Sequence, residues 1–327
     1  MRAIISRFAP APTGFLHLGH VVNAVYVWRE TRARGGRVLL RIEDHDRQRS
    51  RAEYEAAILD DLAWLGFEAD EGPVRQSERG AIYEEALERL RRLGLVYACG
   101  CSRAEIMAAL KGRPTNEDPA GRPFRAAAAN EDPAGRPFRA AAANEDPVGR
   151  PFRAAAADAE LWYPGTCADR GLPEAPGLGL RVRLAPTVER FVDLRHGLQE
   201  QRPSEQCGDV LVRDREGNWT YQFAATVDDL VQGVTLVVRG DDLLASTGRQ
   251  IQLARLLGRE EPPQFLHHPL IMKSADQKLS KSDGDTGVRE LRARGWTPER
   301  VIELATSVVA GDHEEAGLDP SCGSDPY

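Results

Sequence analysis

The sequence has almost no lysine. Four occur in 327 residues (Lys111, Lys273, Lys278 and Lys281), against 39 arginines. A skew spread over the whole chain reflects base composition, but the cluster at 273–281 is local and stands out against it. No run of about 20 apolar residues exists, which excludes a membrane-spanning helix. The opening Met1–Pro10 lacks the apolar stretch of a signal peptide, so a cytoplasmic setting is expected. The five cysteines are an odd number in a chain long enough to build its own core. That argues against a disulfide scaffold and leaves metal binding for any that cluster. Aromatic residues, at 6%, are too few for an aromatic-rich β-sandwich. With a formal net charge of −7, a nucleic-acid partner has to be held by local basic patches. At 42% hydrophobic and 28% charged, the composition excludes global disorder and collagen-like order.

One segment repeats. Residues 116–129 read NEDPAGRPFRAAAA; the unit recurs at 130–143 and, with Val148 replacing alanine, at 144–157. Each copy carries two acids, two arginines, two prolines and one phenylalanine (Phe124, Phe138 or Phe152). One large apolar side chain per copy cannot offset the ordering entropy, so a mobile surface insertion is expected. Elsewhere strands and helices alternate. Residues 2–8, 37–43, 210–213 and 234–239 read as strands, whereas Leu18, Val21, Val22, Val25 and Trp28 keep helical spacing. Tyr54 to Leu65 and Tyr83 to Leu93 predict helices stopping at Gly66 and Gly94, with Ser50 and Glu53 as a capping box for the first. A helix is expected over 247–257, and another opens at Thr297-Pro298. The pattern predicts an α/β fold around a doubly wound parallel sheet, interrupted by an inserted module. The expected divisions are 1–98, the first half of the sheet domain; 99–194, the insertion; 195–258, the second half; and 259–327, a loop and helical region.

Three constellations carry chemistry. In Phe8–His20 a strand ends, a Pro/Gly-rich loop follows, and His17-Leu-Gly-His20 opens a helix. Backbone N–H groups and the positive end of the helix dipole there suit a phosphate chain. Two imidazoles can reach it, and Gly19 allows close approach. Lys278-Leu-Ser-Lys-Ser282, preceded by Met272-Lys273, lies in a polar stretch. Its flexible ammonium groups can follow charge developing on a departing pyrophosphate. Cys99-Gly-Cys101 and Tyr163-Pro-Gly-Thr-Cys167 offer three thiolates and a phenolate, enough for one tetrahedral zinc. A metal clip there would pin the roots of the repeat. Cys207 and Cys322 lack such neighbours.

The HLGH and KLSKS pair, in this order in an α/β chain, resembles the signature of class I aminoacyl-tRNA synthetases. Arg7–Gly14, Leu40-Arg-Ile-Glu-Asp44, Val227-Asp-Asp229 and Gly233–Gly240 resemble the glutamate-specific branch. The resemblance implies a Rossmann-type catalytic domain and ATP, with Mg2+, as substrate. It implies that His17, Gly19, His20, Lys278 and Lys281 serve ATP, with His17, His20 and Lys281 catalytic. Arg7 and Arg239 would meet the carboxylates of L-glutamate, Glu43 its amino group, and Tyr221 would line the pocket. The segment 7–11, including Ala9 and Ala11, would wrap the amino acid; the branch usually has serine where this chain has Ala11. Arg7, Glu43 and Arg239 all end predicted strands, where open α/β sheets bind ligands. Taken singly, Arg41–Glu43 or Asp44–Arg47 reads as a surface ion pair.

The C-x-C and Y-x3-C spacing resembles a subgroup that lacks the anticodon-binding domain, binds one structural zinc through Cys99, Cys101, Tyr163 and Cys167, and acts on queuosine-containing tRNA(Asp). The short segment after KLSKS agrees, since it leaves no room for anticodon-reading domains. A monomer is expected, with residues after 259 contacting a tRNA stem. The alternatives are a truncated enzyme charging the 3′ end of tRNA(Glu), a non-catalytic tRNA-binding protein, and another HxGH nucleotidyltransferase.

Overall fold

The computed structural model describes residues 3–111, 161–270, 272–274, 277–278 and 287–315, with 111, 272–274, 277–278 and 308–315 as backbone alone. The three-copy repeat and Lys281 lie outside the described residues. The first half runs β1 (Ile5–Phe8), α1 (Leu18–Arg32), β2 (Arg37–Ile42), α2 (Ala52–Leu65), β3 (Glu71–Arg75) and α3 (Gly80–Arg92). Next come β4 (Val96–Cys99), α4 (Arg103–Lys111) and β5 (Gly179–Val182). The chain continues through β6 (Glu189–Asp193), β7 (Gly197–Gln201), α5 (Pro203–Gln206), β8 (Val210–Arg213), α6 (Tyr221–Val231), β9 (Leu236–Gly240), α7 (Thr247–Leu256) and β10 (Gln264–His268). Last are β11 (Met272–Ser274), β12 (Gln277–Lys278), α8 (Val288–Ala293) and α9 (Pro298–Glu315).

Strands β1, β2 and β3 are parallel neighbours, as are β9, β10 and β6, while β7 adds an antiparallel edge to β6. The two sets meet where Thr235, just before β9, bonds Ile5 of β1: its N–H donates to Ile5 O and its Oγ1 accepts from Ile5 N, both at 2.8 Å. Apolar side chains cover both faces. Leu40, Ile42, Leu236 and Val238 pack with α1, α2 and α9. Leu39, Val237 and Phe265 pack with Ile251 of α7. Burial on both faces explains the unbroken Val-Leu-Leu run of β2. Strands β4, β5 and β8 form a separate antiparallel sheet over Tyr83, Leu87 and Phe223, so this sheet draws its third strand from beyond residue 194.

The expected capping box at Ser50 and Glu53 does not form. Helix α2 starts at Ala52 with Arg51 as N-cap and no side-chain cap, and the buried Ser50 Oγ has no hydrogen bond among the described residues. The Ser50 N–H, which the box would give to the Glu53 side chain, donates to Asp46 O at 3.0 Å instead, and the Arg51 N–H donates to Pro12 O in a tie to the loop after β1. The helix does stop at Gly66, whose φ of 78° is the left-handed conformation a C-cap needs.

Candidate active site and metal cluster

Helix α1 opens on His17, whose backbone is extended (φ −125°, ψ 171°). Its ring takes the place usually held by serine or aspartate in a cap: Gly19 N–H donates to His17 Nδ1, and His17 N–H donates to His20 Nδ1, both at 3.1 Å. Because both Nδ1 atoms accept, the neutral rings carry their hydrogens on Nε2. Each ring therefore keeps Nε2 as its donor, beside a helix N-terminus whose dipole favours an anion. The rings lie 3.9 Å apart, centroid to centroid. A Cβ at position 19 would come within 2.9 Å of the His17 ring, so this glycine makes room for the imidazole itself.

The described residues on both sides of the KLSKS segment are tied to this helix. Gly287 pairs with His17 as a bridge, and Val288 N–H donates to Leu16 O at 2.9 Å. Upstream, His268 Nε2 lies 3.0 Å from Asn23 Oδ1 of α1, and its ring stacks on Tyr26. Lys278 is described by its backbone in β12.

At the carboxyl ends of β1, β2 and β9 the charged side chains are buried. Arg7 Nε donates to Asp229 Oδ1 at 3.0 Å, and its Nη1 to Val238 O. Glu43 accepts from Arg41 Nη2 at 3.1 Å. The Arg41–Glu43 pair therefore exists, but it is not at the surface: Arg41 is fully buried and also donates to Asp229 Oδ1 at 2.7 Å and Gln232 Oε1 at 3.0 Å. Asp44 bonds Ser77 N and Oγ rather than Arg47. Burial raises the Asp229 carboxyl, but Arg7 and Arg41 outweigh it and hold the group below its ordinary range. Burial and Glu43 push the Tyr221 hydroxyl up, so it stays protonated. The loop 9–11 is held over this floor, with Glu43 N–H donating to Pro10 O at 3.0 Å.

Arg239 differs from its neighbours. It is 4% exposed, and no carboxylate among the described residues pairs with it. Its Nε donates to His267 Nε2 at 3.0 Å, Nη1 to Gln250 Oε1 at 2.6 Å and Nη2 to Thr247 Oγ1 at 2.8 Å, with Tyr221 a further partner. Burial pushes its pKa down, which marks a desolvated cation among neutral acceptors. Such a group gains most from an incoming carboxylate.

The cysteines converge. Cys99, Cys101 and Cys167 place their sulfurs within 4.8 Å of one another, with Cys101 Sγ 3.5 Å from Cys167 Sγ. Zinc–sulfur bonds of about 2.3 Å in a tetrahedron imply sulfurs about 3.8 Å apart, so the cluster can hold a metal ion. Tyr163 Oη lies 3.3 Å from Cys99 Sγ and 3.9 Å from Cys101 Sγ. Burial raises the Tyr163 phenol, a direction that a central cation would reverse. Two residues that carry no motif signal in the sequence hold this group together. Gly208, at φ 67°, lies where a Cβ would strike Tyr163 O, and the adjoining Cys207 O accepts from Tyr163 N. Arg181 stacks on the Tyr163 ring at 3.6 Å and donates to Cys99 Sγ.

The chain belongs to the tRNA synthetases class I (E and Q), catalytic domain, which it matches over residues 3–130 and 180–315. Within that family it is 38% identical to a glutamyl-Q tRNA(Asp) synthetase of Rhodobacter capsulatus, over 92% of this chain and 99% of that one. It is 41% identical to a protein of the same name from Bordetella bronchiseptica, over 86% of this chain and 75% of that one. A glutamate–tRNA ligase of Halorhodospira halophila is 34% identical over 98% of this chain but only 60% of its own length. The structure of a glutamate-tRNA synthetase from Elizabethkingia anophelis superimposes with a TM-score of 0.65 over 93% of this chain at 24% identity, a likeness of fold. Among the described residues no helix is long and apolar enough to cross a membrane.

Proposed function

We propose that this chain activates L-glutamate with ATP and passes the glutamyl group to queuosine in tRNA(Asp). One carboxylate oxygen of glutamate attacks the α-phosphorus, the bond to the β-phosphate breaks, pyrophosphate leaves, and glutamyl-adenylate remains. A hydroxyl of the queuosine cyclopentenediol then takes the glutamyl group and AMP departs. The observation that carries this reading is Arg239, a buried cation at the end of the sheet whose hydrogen-bond partners among the described residues are all neutral. Arg7 and Arg239 meet the carboxylates, Glu43 the ammonium, and Tyr221 closes the pocket, with Ala9 and Ala11 in the loop above. His17 and His20 donate to the triphosphate through Nε2, Gly19 keeps the first ring in place, and Lys278 and Lys281 follow the charge on the leaving group. Mg2+ accompanies ATP as part of the substrate. The chain acts as a cytoplasmic monomer, with its C-terminal helices against a tRNA stem.

The experiment is a choice of acceptor. Glutamate-dependent ATP–pyrophosphate exchange is measured first, followed by transfer of labelled glutamate to tRNA(Asp) with and without queuosine and to tRNA(Glu). Label on queuosine-containing tRNA(Asp) alone is expected; charging of tRNA(Glu) would overturn the choice of acceptor.

Zinc is the ion we assign to the cysteine cluster, held by Cys99, Cys101, Cys167 and Tyr163 as a structural clip between the end of β4 and the 163–167 turn. One equivalent per chain should be found by elemental analysis. Cys167→Ser should lose it, and Tyr163→Phe should keep it with weaker affinity. Full occupancy in Cys167→Ser would refute the assignment.

A further inference from the structure

We infer that the buried pair Asp193–His267 is a positioning element for Arg239, orienting the guanidinium toward the amino acid's carboxylate. The inference rests on the proposed role of Arg239 as the carboxylate-binding cation. Three parallel strands present these residues in a row. Arg239 of β9 is the register partner of His267 of β10, and β10 lies beside β6, which ends on Asp193. All three are buried, at 4%, 0% and 1% exposure.

The hydrogen-bond chemistry allows one arrangement. A guanidinium only donates, so the His267 Nε2 that meets Arg239 Nε at 3.0 Å must offer a lone pair. The ring hydrogen then sits on Nδ1, which donates to Asp193 Oδ2 at 2.7 Å. Asp193 is itself fixed by the backbone N–H groups of Arg195, His196 and His267, at 3.0, 2.9 and 3.1 Å. Burial holds the imidazole below its ordinary pKa, against the pull of Asp193, which keeps it neutral. A carboxylate in the place of His267 would pair with Arg239 directly and compete with the substrate. A neutral ring backed by Asp193 orients the guanidinium, whose η nitrogens rest on Gln250 and Thr247, without neutralising it.

The test compares the full chain with His267→Leu and His267→Gln in glutamate-dependent ATP–pyrophosphate exchange. Glutamine can accept from Arg239 through Oε1 and donate to Asp193 through its amide; leucine can do neither. His267→Leu should raise the KM for glutamate by roughly 50-fold, the loss of one bond to a buried charge plus an unpaired donor, with the KM for ATP unchanged. His267→Gln should stay within about fivefold of wild type. A purely structural role predicts the reverse order, since leucine suits a buried position better than an amide does. If the leucine variant does not fold, His267→Asn replaces it, being long enough for Asp193 and too short for Arg239. An unchanged glutamate KM in the leucine or asparagine variant, or glutamine as damaging as leucine, overturns the inference while leaving the activity in place. Wild-type chain without glutamate-dependent exchange overturns both.

Discussion

Arg41→Met is expected to destabilise the fold by about 3–5 kcal/mol, the range for removing one partner from a buried ion network, and to lower the melting midpoint by roughly 10 °C. Arg41 is fully buried in the middle of the sheet. It meets Asp229 at 2.7 Å, Glu43 at 3.1 Å and Asp228 at 3.7 Å. Burial alone would lower its pKa, but the three carboxylates outweigh that and hold it well above its usual value. The destabilisation would come from the acids left behind. Asp229 would keep Arg7, and Asp228 would keep Arg79, Gln76 and Tyr83, but Glu43 would lose its guanidinium partner. Methionine fills the space and supplies no charge, so a cavity contributes little to the result. Activity should fall as well, since Arg7 and Glu43, both assigned to the amino acid, lean on this network. Urea denaturation checks the effect, and a loss below about 1 kcal/mol, the ordinary worth of an exposed pair, would mean that water reaches the network.

Arg41 also shows where sequence reading stops. Period-two alternation along β2 puts Arg41 and Glu43 on one face, and that pairing was legible. Their burial was not, because polar residues on a strand signal solvent unless the covering element is known. The cover is α6, whose Asp228 and Asp229 come from nearly two hundred positions away. The HLGH cap was legible as a helix start because the Pro/Gly loop and the helical spacing after it are local. That His17 and His20 themselves cap the helix was not, since imidazoles rarely do so. The capping box at Ser50 failed because Asp46 O takes the Ser50 N–H that the box needs. The cysteine cluster was legible by residue type and spacing, whereas Gly208 and Arg181, which seat Tyr163, carry no spacing signal. His267 and Asp193 meet only through the order β6–β10–β9, and the sequence pattern predicts a strand at neither β6 nor β10.

Asp61→Asn should stabilise the protein by roughly 2 kcal/mol at pH 7.5 and by almost nothing at pH 4, since each tenfold change in proton affinity on folding is worth about 1.4 kcal/mol. Asp61 lies on the buried side of α2 at 1% exposure, and neither carboxylate oxygen accepts a hydrogen bond among the described residues. Burial, with help from Asp60, raises its pKa to about 6 despite the opposing charges of Arg289 and Arg292. An acid raised in the folded state penalises folding when ionised. Above pH 6 both folded and unfolded chains carry the charge, and the folded one bears the full desolvation cost. As pH falls from about 6 toward the unfolded value near 4, the folded chain takes up the proton first and wild-type stability rises through this group. Below that range both states are protonated and the contribution is gone. Asparagine is neutral throughout, so its advantage should shrink over the same window. Urea unfolding of both proteins at pH 7.5, 6, 5 and 4 traces the curve. A constant difference across that series would assign the effect to packing, and a wild type more stable than the variant at pH 7.5 would mean that Arg289 and Arg292 repay the buried charge.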